Sequence, residues 1–201
     1  MQTLSPAADI ITAPMNISAL PFNIPAAFVD RILVPYRDHT KYLKRAQLIS
    51  YQQSAQDAMP GTNLATIEGV FSIPESCYID NTGHFNAVEF NICYNQLAYV
   101  LFASCIKTGI LQRLVPYWDE KVNMSFESFL VNQLSSMMIV KIEGSFLRSI
   151  DAREFYARLS IHRIIWAGDT PFVHTKISFY DEEKGRSSGS VLLAFNRLTA
   201  H

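Results

Sequence analysis

The sequence predicts an α+β fold in which an antiparallel sheet curls round one long central helix. Three observations predict it. A helix-compatible run from Asn86 to Thr108, closed by Gly109, is apolar nearly all round and so needs cover on every side. Two strand-like segments precede that run and four follow it. Phe155 to Ile165 alternates cleanly, with Phe155, Ala157, Leu159 and Ile161 on one face and Tyr156, Arg158, Ser160 and His162 on the other.

Residues 1–22 carry Pro6, Pro14 and Pro21 and a single charge, Asp9, which reads as an extended arm. Asn23 caps a short helix with Pro25 in its first turn, and Pro35 ends it. Residues 35–45 gather Tyr36, Arg37, His39 and Lys41, either a solvated loop or a small-anion site. Two strands, 45–56 and 63–73, flank a turn at Met59-Pro60-Gly61-Thr62.

Asn86 is the expected N-cap of the central helix, with Glu89 completing a capping box. At about 100° per residue, Glu89, Gln96, Ser104 and Lys107 form one stripe, the expected solvent or edge face. Asn91 and Asn95 fall opposite, among Val88, Ala98, Tyr99, Phe102 and Ile106. An amide there either bridges to a neighbouring strand or serves a ligand in an apolar cleft.

Beyond the helix, Tyr117 to Glu120 reads as a link and Phe126 to Leu134 as a short amphipathic stretch. Ser135 to Glu143 is apolar on both faces, as expected of a strand covered on both sides. Residues 172–180 and 188–198 form a hairpin around 181–186. Residues 23–201 thus make one domain of hotdog architecture. Such a sheet leaves an edge strand or a helix flank for a partner subunit, so a homodimer or larger assembly is expected.

Bulk properties narrow the function classes. Seventeen basic against eighteen acidic side chains argue against a nucleic-acid or anionic-membrane surface. No apolar run approaches about 18 residues and the N-terminus lacks a basic leader, so a cytoplasmic protein without a membrane span is expected. Cys77, Cys93 and Cys105 read as free thiols. No CxxC or HExxH set is present and the five His are scattered, so no metal is expected. No phosphate loop or dinucleotide fingerprint appears, so no cofactor is expected either.

No nucleophile elbow occurs, which leaves groups that position and polarise. Backbone N–H groups around Gly83–Asn86 form a helix N-terminus where a thioester oxygen would gain stabilisation. His84 is a general acid or base, or a structural turn residue. The Gly83-His84-Phe85 turn is similar to that of hotdog hydroxyacyl dehydratases, but Glu89 falls on the polar stripe rather than where their partner carboxylate sits.

Residues 82–89, Thr-Gly-His-Phe-Asn-Ala-Val-Glu, and 93–99, Cys-Tyr-Asn-Gln-Leu-Ala-Tyr, closely resemble the FcoT-type thioesterase-like family. Gln133 to Met137 with Lys141 resembles it too, and looser similarity extends from about residue 25 to the C-terminus. The resemblance implies a hotdog fold acting on acyl thioesters of acyl carrier protein (ACP) or coenzyme A. Some members are classed as long-chain acyl thioesterases. Others add glycine to the β-carbon of a (2E)-enoyl thioester, giving a 3-((carboxymethyl)amino)acyl product for lipopeptide or polyketide biosynthesis. The family's active-site groups carry over as Tyr36, Tyr78, Asn86 and Asn95. The 37–44 loop departs from the family in length and composition.

Conjugate addition needs an oxyanion site, a base, a proton for the α-carbon and a cation for the glycine carboxylate. The reading assigns the oxyanion to Gly83–Asn86, with Phe85 beside it, and the thioester or amine to Asn86 or Asn95. Proton transfer falls to Tyr36, Tyr78 or His84, and the carboxylate to Lys41 or Arg158. Thioester hydrolysis is the alternative. A non-catalytic acyl-thioester binding module is the second.

Overall fold

The computed structural model describes residues 15, 17, 19–80 and 84–196. Most of the N-terminal arm, and Gly83 with the two residues before it, lie outside them. The elements run β1 (Phe22–Asn23), α1 (Ala26–Ile32), a 3-10 turn (Asp38–Thr40), β2 (Leu43–Tyr51) and β3 (Ala65–Phe71). The long helix α2 (Ala87–Lys107) follows, then short helices α3 (Ile110–Leu114), α4 (Trp118–Val122) and α5 (Phe126–Ser136). Four strands end the chain: β4 (Met137–Arg148), β5 (Phe155–Ala167), β6 (Thr170–Tyr180) and β7 (Arg186–Phe195).

These strands form one antiparallel sheet in the order β1-β2-β3-β5-β6-β7-β4. The helix-facing side of the sheet covers α2, and every helix residue from Gln96 to Ile106 is buried. This is the hotdog arrangement: one helix, about 31 Å long at 1.5 Å per residue, wrapped by a sheet. Asn86 caps it as expected, its Oδ1 accepting from Val88 N at 2.8 Å and Glu89 N at 3.5 Å. Gly109 follows the C-cap Thr108 with φ 69°, a left-handed conformation that glycine adopts without a Cβ clash.

Near its start the helix is anchored by aromatic rings. Phe85 lies 4.8 Å from Phe179 and 5.1 Å from Phe155, and Phe90 lies 5.1 Å from Phe179 and 5.8 Å from Phe146. Room for Phe90 comes from Gly189 on β7, which lies directly opposite Gly144 on β4.

Several sequence expectations are corrected. Asn23 sits in β1, and Pro25 occupies the N-cap of α1. The link after α2 is itself helical, as α3 and α4, because Leu111, Leu114, Trp118 and Val122 have a core to bury against. The strand expected to be covered on both sides is instead the sheet edge. Met138, Val140, Ile142, Phe146 and Leu147 of β4 are all exposed, Leu147 at 70%. An apolar run on both faces reports what must be covered; in this chain the cover is not supplied from within.

The polar stripe is the largest correction. Glu89, Gln96 and Ser104 are buried, while Asn91 and Val88 on the supposedly apolar side are exposed. The apolar side is buried further along, at Ala98, Tyr99, Phe102 and Ile106, so the stripe expected to face solvent is taken in as well and only the first turns of the other side stay exposed. The buried polar groups find partners there: Gln96 on a loop, Glu89 on Ser76, and Ser104 on Val100 O at 2.7 Å. None of the described helices is long and apolar enough to cross a membrane.

Gly189→Ala tests the glycine notch. A Cβ there would lie 2.6 Å from Phe90 Cζ and closer still to the Glu143 carbonyl oxygen, which is backbone and cannot swing aside. The variant is expected to lose about 1–3 kcal/mol of stability in urea unfolding, as overpacked cores do. Unchanged stability would show that the sheet opens there at no cost.

Candidate active site

The loop ahead of α2 and the helix's first turns create the densest gathering of polar groups with chemical potential. Asn86 donates from Nδ2 to Tyr78 Oη at 2.9 Å while its Oδ1 caps the helix. One amide therefore fixes both the helix start and the phenol. Tyr78 is 48% exposed, and because its oxygen accepts from Asn86, its own proton is directed elsewhere.

Beside this pair lies a cleft of about 520 Å³ bordered by Ser76, His84, Glu89, Asp151, Arg153 and Asp181 among others. Glu89 is 2% exposed, and its Oε1 accepts from Ser76 Oγ at 2.8 Å. Arg153 closes on Asp151, whose carboxyl is held down at about 2 chiefly by that hydrogen bond. Asp181 accepts from Asp151 N and Gly185 N, which ties the β6–β7 turn to the cleft wall.

A second cluster sits on the helix flank. Tyr36 follows α1, its ring centroid 6.4 Å from that of Tyr99. Burial, reinforced by Tyr99 and Cys93, pushes the Tyr36 phenol above its ordinary range, so it stays protonated and can donate. Asn95 is half-buried on this flank, one turn before Tyr99. The loop that carries Tyr36 is sewn to the helix by Gln96, which accepts from Leu43 N at 2.9 Å and donates to Thr40 O at 2.6 Å.

The structure divides the sequence-assigned residues between these places. Tyr78, His84 and Asn86 gather at the helix N-terminus; Tyr36 and Asn95 gather on the flank. Asn86 and Asn95 are nine residues apart, or two and a half turns, which puts them on opposite sides of the helix. Phe85 is buried in the ring cluster, and its N–H donates to Ile150 O at 3.3 Å. This takes one of the donors that the reading had given to the oxyanion, and the Val88 and Glu89 N–H groups just beyond are taken by Asn86. Gly83 is outside the described residues.

Neither assigned cation is unengaged. Lys41 pairs with Asp38 at 2.7 Å, on the same loop as Tyr36. Arg158 binds Glu68 on the face of the sheet turned away from the helix, beside the stacked pair Tyr156 and Tyr180. It is not brought near either cluster. Sequence reasoning missed Glu89 as a buried group. The signal was the run beneath it, Cys93, Leu97 and Val100, which is apolar and falls within about one helical face of Glu89.

With this geometry in view, comparison with known proteins is informative. Residues 31–195 match the FcoT-like thioesterase domain family. The chain belongs to this family. A (2E)-enoyl-ACP glycyltransferase of Streptomyces coeruleorubidus is 37% identical over 174 residues, covering 84% of this chain and 95% of that protein. A protein of the same name from Mycobacterium marinum is 39% identical over 129 residues, covering 63% of this chain and 66% of that protein. Among solved structures, a thioesterase family protein from Silicibacter pomeroyi aligns with a TM-score of 0.43 at 12% identity, covering 84% of this chain and 96% of that one.

Gln96→Leu tests the seam that carries Tyr36. It strands the buried Leu43 N–H and takes one of two donors from the partly buried Thr40 carbonyl, which keeps Tyr42 N, so a loss of about 1–3 kcal/mol in urea unfolding is expected. A variant as stable as the parent would mean that water replaces the amide.

Proposed function

We propose that this protein adds glycine to the β-carbon of a (2E)-enoyl thioester carried on ACP, forming a 3-((carboxymethyl)amino)acyl thioester. The observation that carries this reading is the match to the Streptomyces glycyltransferase over nearly that protein's full length. The site chemistry supports it. Tyr78, oriented by Asn86, offers a proton to the thioester oxygen as enolate character develops there. Tyr36, kept protonated by burial, is a second donor on the acyl side, against Tyr99, with Asn95 one helical turn before Tyr99. Of the two assigned cations, Lys41 is paired with Asp38 and Arg158 with Glu68, and neither borders the cleft at the helix N-terminus.

Hydrolysis is retained as a second reading because of one observation. A buried carboxylate, Glu89, borders the cleft, and such a group activates water as well as amines. Incubating the protein with a (2E)-enoyl-ACP and glycine separates the two by mass. The addition reading expects the intact thioester heavier by one glycine; free fatty acid with no adduct leaves hydrolysis standing and overturns addition.

The assembly is proposed to be a homodimer in which two copies meet along β4. This strand presents exposed Met138, Val140 and Ile142, and α2 adds Val88 at 41% exposure. A long apolar edge of this kind is an aggregation hazard unless a partner covers it. Sedimentation should give a dimer at micromolar concentration, and Val140→Lys should shift it to monomer. A parent protein that sediments as a monomer would refute the pairing.

A further inference from the structure

Glu89 has a feature that neither the helix cap nor the fold requires. One carboxylate oxygen accepts from Ser76, while the other, Oε2, is buried and accepts nothing from the described residues. Leaving a buried carboxylate oxygen without a donor costs on the order of 1–3 kcal/mol or more. A site that keeps such an oxygen at the edge of a cleft is set up to receive a donor from outside.

The surroundings say what kind of donor. Glu75, Asp80, Asp151, Asp181 and Glu183 border the same cleft and make it acidic. His84 and Arg153 are the basic groups bordering it, and Arg153 is closed on Asp151. At close range Glu89 acts on Tyr42 and Cys93, with Cys77 next to both, and burial above all holds the Tyr42 and Cys93 protons in place. The cleft therefore favours a small cation rich in N–H groups, such as a primary ammonium.

We infer that Glu89 is the general base of the addition, binding the glycine ammonium through Oε2 and taking one of its protons. This rests on the glycine-addition reading above and deepens it, replacing Tyr36, Tyr78 and His84 in that role. The amine nitrogen then bonds to the β-carbon, and the α,β π pair moves into the enolate. Glu89 returns the same proton to the α-carbon, so the carboxylate is regenerated and the product leaves as a secondary ammonium. Nothing is oxidised or reduced, and no group departs.

The test compares the parent with Glu89→Gln, which keeps the size and an acceptor for Ser76, using (2E)-enoyl-ACP and glycine across a range of pH. At neutral pH the variant should add glycine about 10²–10⁴-fold more slowly. The deficit should narrow as pH rises toward the ammonium pKa, because neutral amine then arrives ready to react. A variant within about threefold of the parent, or a deficit that stays constant with pH, overturns the role. If the variant shows no cooperative thermal transition, Glu89→Asp decides: retained addition with the parent's pH dependence supports the base, and its loss overturns it. A parent that forms no adduct refutes the addition reading, and this inference with it, before any variant is made.

Discussion

The carboxamide of Gln96 is the interaction on which much of this structure depends. A helix wrapped by a sheet loses water on nearly every side, so any polar side chain it carries must be met by protein. Gln96 meets that demand by reaching Leu43 N and Thr40 O, which locks the loop before β2 onto the middle of the helix. Tyr94 does the same toward the sheet, its hydroxyl 2.8 Å from Thr175 Oγ1, and Gln133 of α5 reaches Ile32 O at 3.0 Å. Polar side chains stitch an otherwise apolar interior to the segments that carry Tyr36 and Ser76.

This explains why so much of the fold was legible and part of the site was not. The helix, its Asn86 cap and its closure at Gly109 follow from local chemistry, as do the β5–β7 strands, whose alternation reflects one wet and one dry face. Inside and outside of α2 do not follow from local chemistry. Charge on Glu89 and amides on Asn91 and Asn95 look equally polar in sequence, and only tertiary partners decide which are taken in. The β4 edge was misread for a related reason: its apolar residues are real, but no described part of the chain covers them. Arg158 illustrates a further limit, because strand alternation put it on the polar face without saying that this face turns away from the helix.

Two separate clusters change how the chemistry divides. The helix N-terminus holds Tyr78, Asn86, His84 and Glu89, groups suited to a thioester oxygen and an amine. The flank holds Tyr36, Asn95 and Tyr99, a phenol donor among aromatic rings. Acidic side chains border the first cluster, and aromatic rings make up the second.

Phe90 and the two glycines beneath it work as a keyway. Gly144 and Gly189 lie opposite each other on neighbouring strands, and the ring fills the space that a Cβ on Gly189 would take, while one on Gly144 would only touch it. A shaft keyed in this way has one angular setting. Rotating the helix by a single residue, about 100°, would present another side chain to the notch and would carry Glu89 out of reach of Ser76. The orientation of the carboxylate is thus inherited from an absent Cβ atom on β7, so a substitution at Gly189 can retune the cleft without touching any residue that lines it.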